Sequence, residues 1–454
     1  MSLAEQIKES SMSRFQILTV ITCLAVVVVE GYDVIVMSFS ASAIADEWGV
    51  TRSVLGYGLS ASTAGMALGS LCIAPIGDRI GRRMVGLSGL AVVAVGMAYS
   101  AVAPDFGNLM LSRLITGVGI GSVMASVGVV IAEYSSRRRV GLTMALFAAA
   151  NGTGGVLGGL AADMLIFSHG WRSVFAVGAG ATLVIFVVAL VAMPESLAFL
   201  STRTDDRAQR RLRRIAAKMG LQVDAEHLQV SGGVDSNGRY RDLFARSTVV
   251  STILLSLGYG ALMTTFYFIV SWTPNLVSDA TGDDRLGIQI GVLLPLGGIV
   301  GCVAFGLLTA VVRVRPLAAV ALSLAAVCTL LMAYALSTGS APIVLALAIG
   351  VLLNAGISAY YGVIPSAFPT QIRTTGFGFV LGISRVLGIA SPIIAGYLLG
   401  FLSGAMVFGL FGVVLALSAI AFIAQGRLSE SEADDVPTES TGAVLATPAP
   451  AFDD

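Results

Sequence analysis

Charge is what this chain has least of: Asp, Glu, Lys and Arg make up 12% of its 454 residues, about half the share found in a soluble domain. Acidic and basic residues balance at 27 each, so no basic surplus marks a nucleic-acid partner. Lysine is reduced to Lys8 and Lys218, neither following a glycine. That excludes a phosphate-cradling loop with its lysine, and with it direct use of a nucleotide. The only histidines, His169 and His227, fall in polar segments, so neither a histidine metal cluster nor a Ser-His triad can assemble inside an apolar region. A Gly-x-Ser-x-Gly turn is missing as well. Cys23, Cys72, Cys302 and Cys328 each stand alone in an apolar stretch, which reads as packing and not as a disulfide framework or a metal set. No enzyme chemistry and no cofactor are expected.

What is present is apolar. Hydrophobic residues reach 56%, mean hydropathy is +0.87, and glycine, at 53, far outnumbers proline, at 13. Small residues inside long apolar runs are what packed membrane helices use. Runs of about 20 residues cross a hydrocarbon core of about 30 Å, and twelve are found, near 15–40, 53–76, 82–103, 107–132, 141–166, 171–193, 248–277, 286–310, 316–337, 342–368, 374–399 and 403–424. The first run is too long for a cleavable signal. With the N-terminus on the cytoplasmic side, 22 Lys and Arg lie inside and three, Arg52, Arg172 and Arg285, outside, as the positive-inside rule requires. The expectation is an all-α, multi-pass protein of the cell membrane with both termini cytoplasmic, a monomer whose lasting partner is the lipid bilayer.

The longest polar segment, 194–247, divides the runs six and six. This predicts an N-terminal half over 1–193, a cytoplasmic loop over 194–247 with a helical stretch near Asp205–Met219, a C-terminal half over 248–425, and a disordered acidic tail over 426–454. A weak echo links the two halves. The first carries a polar junction through Arg139 and Gly141, the second one through Arg373 and Gly376. Two related six-helix halves with a site between them at midplane is a transporter plan.

Between the second and third runs stands Gly77-Asp78-Arg79-Ile80-Gly81-Arg82-Arg83, which resembles the G-D-R-x-G-R-R signature of the major facilitator superfamily at the loop where that family carries it. Arg113 with Gly117, Gly119 and Gly121, Glu133, Pro194-Glu195-Ser196, and Phe368-Pro369-Thr370 with Arg373 match its other signals. The resemblance implies twelve transmembrane helices in two pseudo-symmetric halves. It also implies an inter-half latch at the cytoplasmic gate made by Gly77, Asp78, Arg79, Gly81, Arg82 and Arg83, with Glu133, Arg139 and Arg373 in its charge network. The second-half counterpart, Arg313-Val314-Arg315-Pro316, lacks the acid. In the fifth run Gly154-Gly155-Val156-Leu157-Gly158-Gly159 permits close helix contact. Gly155 stands where drug and proton antiporters of the superfamily usually have proline, which argues against efflux by exchange.

Charges inside the runs are few, and each needs a partner or a wet cavity. Glu30 and Asp33 share one helix face, roughly 24 and 28 Å along the helix from Arg14 at about 1.5 Å per residue. They form either a coupled proton site or a solvated helix end, and the apolar run Val34–Phe39 beyond them favours the first. Glu30-Gly31-Tyr32-Asp33 resembles the D-G-x-D signature of the aromatic acid:proton symporter family, with Glu for the first Asp. That likeness implies pairing of Asp33 with Arg113, released on protonation, and a small aromatic carboxylate and a proton as the transported partners. Arg385, close to midplane, can hold a carboxylate bidentately or serve as a structural ion pair. Tyr32, Phe147, Asn151, Phe266, Tyr267, Trp272, Asn354, Tyr360 and Tyr361 lie on runs that line the cavity in this superfamily, and for each aromatic the choice between core packing and substrate contact stays open. Symport of another organic anion, such as a dicarboxylate or sugar acid, is the second reading, and drug or metabolite efflux the third.

Overall fold

The computed structural model describes residues 6, 9–73, 76–203, 205–221, 240–245, 248–369 and 372–434, which are helical and contain no strand. Twelve long helices follow one another: α1 Arg14–Trp48, α2 Arg52–Leu68, α3 Arg82–Ala101, α4 Phe106–Tyr134, α5 Val140–His169, α6 Arg172–Ala192, α7 Val249–Thr281, α8 Asp284–Leu308, α9 Val314–Ser337, α10 Ile343–Val363, α11 Arg373–Leu398 and α12 Gly404–Asp434. Local chemistry sets their ends. Ser13 and Gln16 close a capping box at the start of α1, and Gly49 ends the helix with φ of 60°. Asp105 and Asp283 accept backbone N–H groups at the starts of α4 and α8.

Among the described residues, eleven helices are long and apolar enough to cross a membrane. The second expected run differs, because its α-helical part is only 17 residues long and passes at Gly69 into a π-helical turn, Gly69–Ile73. Two other ends also move. Helix α1 continues to Trp48, and α12 runs on to Asp434, so the expected tail boundary at 426 falls inside a helix; residues 435–454 lie outside the described residues.

Packing repeats between the halves. In the first, α1 packs on α5 and α6, and α4 on α2 and α3; in the second, α7 packs on α11 and α12, and α10 on α8 and α9. Across the middle, α2 meets α11, α5 meets α8, and α1 meets α7, which is what a two-fold relation requires. The seam between α5 and α8 is nearly free of side chains on one side. A Cβ at Gly152 would stand 2.6 Å from Ile299, and one at Gly155 2.9 Å from Pro295.

Polar contacts between the halves gather at the end of the bundle remote from the termini. Ser38 donates to the carbonyls of Val270 and Ser271 at 2.9 and 2.7 Å, and Ser42 to Asn275 at 2.7 Å. Arg52 pairs with Asp279 at 2.7 Å, Arg285 with Asp163 at 3.1 Å, and the Tyr57 and Tyr397 hydroxyls meet at 3.0 Å.

Candidate functional site

Two neighbouring cavities, of about 160 and 300 Å³, lie between the halves and share Glu30, Met66 and Tyr267 in their walls. The first is lined mainly by apolar side chains of α1, α7, α8 and α10, with Asn151 and Asn354 as its amides and Phe266 as a second ring. The second adds Thr63, Ser70, Phe147, Tyr361 and Arg385. Glu30 is therefore the shared acid, 6% exposed. Asn151 stands in the cavity wall with it, and Glu30 Oε2 has no hydrogen-bond partner among the described residues. Its backbone neighbour explains the sequence around it. At Gly31 a Cβ would collide with the Asn151 carbonyl, so glycine is what lets α5 pack so closely on α1 beside Glu30.

Arg385 faces Glu30 from the opposite half. Its Nη1 donates to Ser70 Oγ, in the π turn, at 2.8 Å. Among the described residues no carboxylate lies within ion-pair distance of it. A cation with no carboxylate partner among the described residues, a partly unpartnered carboxylate and four aromatic rings thus meet at one place. Such a place can hold a flat anion, its charge on the guanidinium and its body against the rings.

One turn beyond Glu30, Asp33 forms an ion pair with Arg113, and both side chains are 0% exposed. Ser62 lies 3.5 Å from both groups, and the guanidinium stands 5.4 Å from the centre of the Phe175 ring. Asp33 Oδ1 and the Nε and Nη1 of Arg113 have no hydrogen-bond partners among the described residues. A buried pair with this much unused hydrogen-bonding capacity depends on its two charges for compensation.

Three of the expected cavity residues lie elsewhere. Tyr32 donates its hydroxyl to the Val174 carbonyl at 2.7 Å, between α1 and α6. Trp272 donates to the Pro392 carbonyl at 3.1 Å, and Tyr360 packs on Phe422 with its hydroxyl 3.2 Å from Ser418. Each carries a polar tip that a buried ring must satisfy, and a backbone carbonyl or hydroxyl on a neighbouring helix drew it out of the cavity wall. Asn151, Phe266, Tyr267, Asn354 and Tyr361 do line it. Thr63 and Met66 of α2 and Ser70 of the π turn line it too, and nothing in their sequence setting separates them from helix packing.

Arg83 of the Gly77–Arg83 loop ties it to the end of α6 and the segment just after it: its backbone N–H donates to Glu195 at 2.9 Å, and its guanidinium to the carbonyls of Met193 and Leu190 at 2.7 and 2.5 Å. Arg203 donates to the Arg79 carbonyl at 2.6 Å. Gly81 makes the turn with φ of 107°, where a Cβ would meet Glu195 Oε2 at 2.5 Å. Glu133 accepts from the Ser196 hydroxyl at 2.9 Å and the Leu197 N–H at 2.7 Å and feels the charge of Arg82. Arg139 and Arg373 are exposed, and the Asp78 side chain lies outside the described residues. Glu195, read in the sequence only as part of a closing motif, is the acid that holds this loop.

Comparison with known proteins adds the lineage. The family model of the Major Facilitator Superfamily matches residues 21–366. The 4-hydroxybenzoate transporter PcaK of Pseudomonas putida is 29% identical, covering 94% of this chain and 96% of its own. The gallate transporter of Pseudomonas putida is also 29% identical, over 91% and 92%. In fold, the chain resembles the partially occluded inward-open xylose transporter XylE from E. coli, with a TM-score of 0.70 at 15% identity, covering 90% of this chain and 99% of that one. A helical bundle crossing the membrane many times, a polar site between two related halves and a family match over most of its length lead to one conclusion: the chain belongs to the major facilitator superfamily and is a membrane transporter, not an enzyme.

Proposed function

We propose that the protein imports a small aromatic carboxylate together with a proton, the two halves rocking about the cavity that Glu30 and Arg385 share. The observation that carries this reading is the pairing, across one cavity, of Arg385 and Glu30 Oε2, which among the described residues have no carboxylate partner and no hydrogen-bond partner respectively, beside Phe266, Tyr267 and Tyr361. Arg385 takes the substrate carboxylate and the rings take its apolar body, while Asn151 and Asn354 are placed for ring hydroxyls. A substrate anion and a charged Glu30 repel one another in so enclosed a space, so a proton on Glu30 and the anion on Arg385 favour each other's binding. That linkage is the coupling. The Asp33–Arg113 pair sets the second proton-sensitive contact: neutral Asp33 releases Arg113 and loosens α1 from α4. The names of the relatives, transporters of 4-hydroxybenzoate and gallate, support the substrate class. In this reading the end bearing the termini faces the cytoplasm, the protein works as a monomer, and the halves are 1–193 and 248–425.

The test is uptake of labelled benzoate, 4-hydroxybenzoate, gentisate, protocatechuate and gallate into proteoliposomes, with and without an inward proton gradient. Gradient-driven accumulation of one or two of them, lost in Asp33→Asn, is expected. Uptake of none by folded protein, or undiminished gradient-driven uptake by Asp33→Asn, overturns the proposal. In the first case the same assay with dicarboxylates and sugar acids examines the second reading.

A further inference from the structure

The loop between the halves contains a helix, Asp206–Met219, capped by Asp205 and ended at Gly220 with φ of 77°. Its apolar stripe, Ala208, Leu212, Ala216 and Met219, is buried against the terminal end of the first half. One position away around the helix runs a second stripe, Arg211, Arg214 and Lys218, at a spacing that puts all three on one face. Docking of the first stripe fixes where the second points. Arg211, Arg214 and Lys218 line a cavity of about 320 Å³, closed on its other side by Phe15 of α1, Arg83 and the end of α6.

The charge in this cavity is one-sided. Glu195 is its single acid, and Oε1 of that carboxylate already accepts from the backbone N–H groups of Arg83 and Ser196. Arg83 turns its guanidinium to backbone carbonyls, which do not neutralise it. Neither Arg211 nor Arg214 has an ion-pair partner among the described residues. Lys218 rests over the Phe15 ring at 5.3 Å. Beside these cations the wall is apolar and faces outward. Val191 is 89% exposed, and Leu18 and Ile21 of α1 are exposed as well, on helices that cross the membrane. A cationic recess opening onto a lipid-facing apolar wall at the end of a span suits an amphiphile with a phosphate head. A soluble anion would gain nothing from the wall.

We propose that this recess binds an anionic phospholipid, its phosphate held by Arg211, Arg214 and Lys218 and one acyl chain lying along Val191 and α1. The lipid then fastens the linker helix to the first half beside the Gly77–Arg83 loop. The pseudo-equivalent place in the second half, between the start of α9 and the end of α12, is lined by Arg313, Arg315 and Arg427, so a second lipid has a place to go and the count of bound lipids matters.

The experiment uses the full chain in nanodiscs of phosphatidylcholine alone or with phosphatidylglycerol, with native mass spectrometry after detergent release and thermal unfolding as the two readouts. Wild-type protein is expected to retain anionic lipid and to melt higher with phosphatidylglycerol. Replacing Arg211, Arg214 and Lys218 together by Gln should remove one retained lipid, weaken retention about fivefold per charge removed, and reduce the phosphatidylglycerol-dependent rise in melting temperature. A triple Arg211→Lys, Arg214→Lys, Lys218→Arg variant should keep both effects, which separates lost charge from damaged folding. Equal retention and an equal shift in wild type and the Gln variant would overturn the proposal. So would an identical rise in melting temperature from inorganic phosphate in phosphatidylcholine, since the ligand would then be a free anion.

Discussion

The Asp33–Arg113 pair invites the most demanding test, because beyond one serine at 3.5 Å and one aromatic ring its surroundings offer the two charges little other compensation. Both side chains are fully buried, and three of their polar atoms have no hydrogen-bond partner among the described residues. Removing one member of such a pair strands the other, which costs about 3–5 kcal/mol, whereas replacing both is often close to neutral. Asp33→Asn and Arg113→Gln should therefore each lower the stability of the folded protein by that amount, roughly two to nearly four orders of magnitude in the folded-to-unfolded ratio. The double variant should recover most of the loss, and a double-mutant cycle isolates the coupling. The assay is unfolding of detergent-solubilised protein by sodium dodecyl sulfate, followed by tryptophan fluorescence; Trp171 packs on Phe175, the ring beside Arg113. Uptake assays on the same proteins give the functional half, and the double variant should be stable but blind to the proton gradient. If the double variant is no more stable than the weaker single variant, the two charges do not compensate one another and the reasoning fails.

The other expectations are more local. Arg385→Ala should abolish substrate binding measured by isothermal titration while leaving the melting temperature close to that of wild type, and Arg385→Lys should restore binding only in part, since an ammonium cannot offer the paired donors of guanidinium. Glu30→Gln, a permanent mimic of the protonated acid, should bind substrate but fail to accumulate it against a gradient; full gradient-driven accumulation would remove Glu30 from the coupling. Gly81→Ala meets both the left-handed φ of 107° and Glu195, and should lower stability by about 1–3 kcal/mol, seen as a reduced melting temperature. Removing the two half-exposed inter-half pairs with Asp279→Asn and Asp163→Asn, each worth about 1 kcal/mol or less, should raise the rate at which an impermeant thiol reagent reaches a Val34→Cys probe from the far end. The measurement is made in a background lacking Cys72, and an unchanged rate would show that these two pairs do not hold the halves together at that end.

Hydropathy made the spans legible because length and apolarity suffice to name a membrane helix. Asp33 and Arg113 could be read because charge at that depth is scarce and must be matched. What escaped was orientation. A helix such as α1 is apolar on most of its circumference, and without a polar face the sequence period gives no direction for any one ring. Hence the sequence leaves Tyr32, Trp272 and Tyr360 open between cavity and core, while the carbonyls of Val174 and Pro392 and Ser418 that hold them belong to helices distant in sequence. The π turn at Gly69–Ile73 is equally silent, since an extra residue in one turn changes hydrogen bonding and not composition. Its Ser70, which reaches Arg385, could not have been singled out.

The smooth side of the α5–α8 seam bears on speed. Interlocking side chains must leave their grooves before two helices can change their crossing, and every knob withdrawn adds to the height of the barrier. Gly152 and Gly155 present backbone in place of knobs to Ile299 and Pro295, so one surface can roll on the other while staying in contact. Alanine at either position would act as a tooth in a bearing, slowing the turnover of each cycle even where the affinity for substrate is untouched.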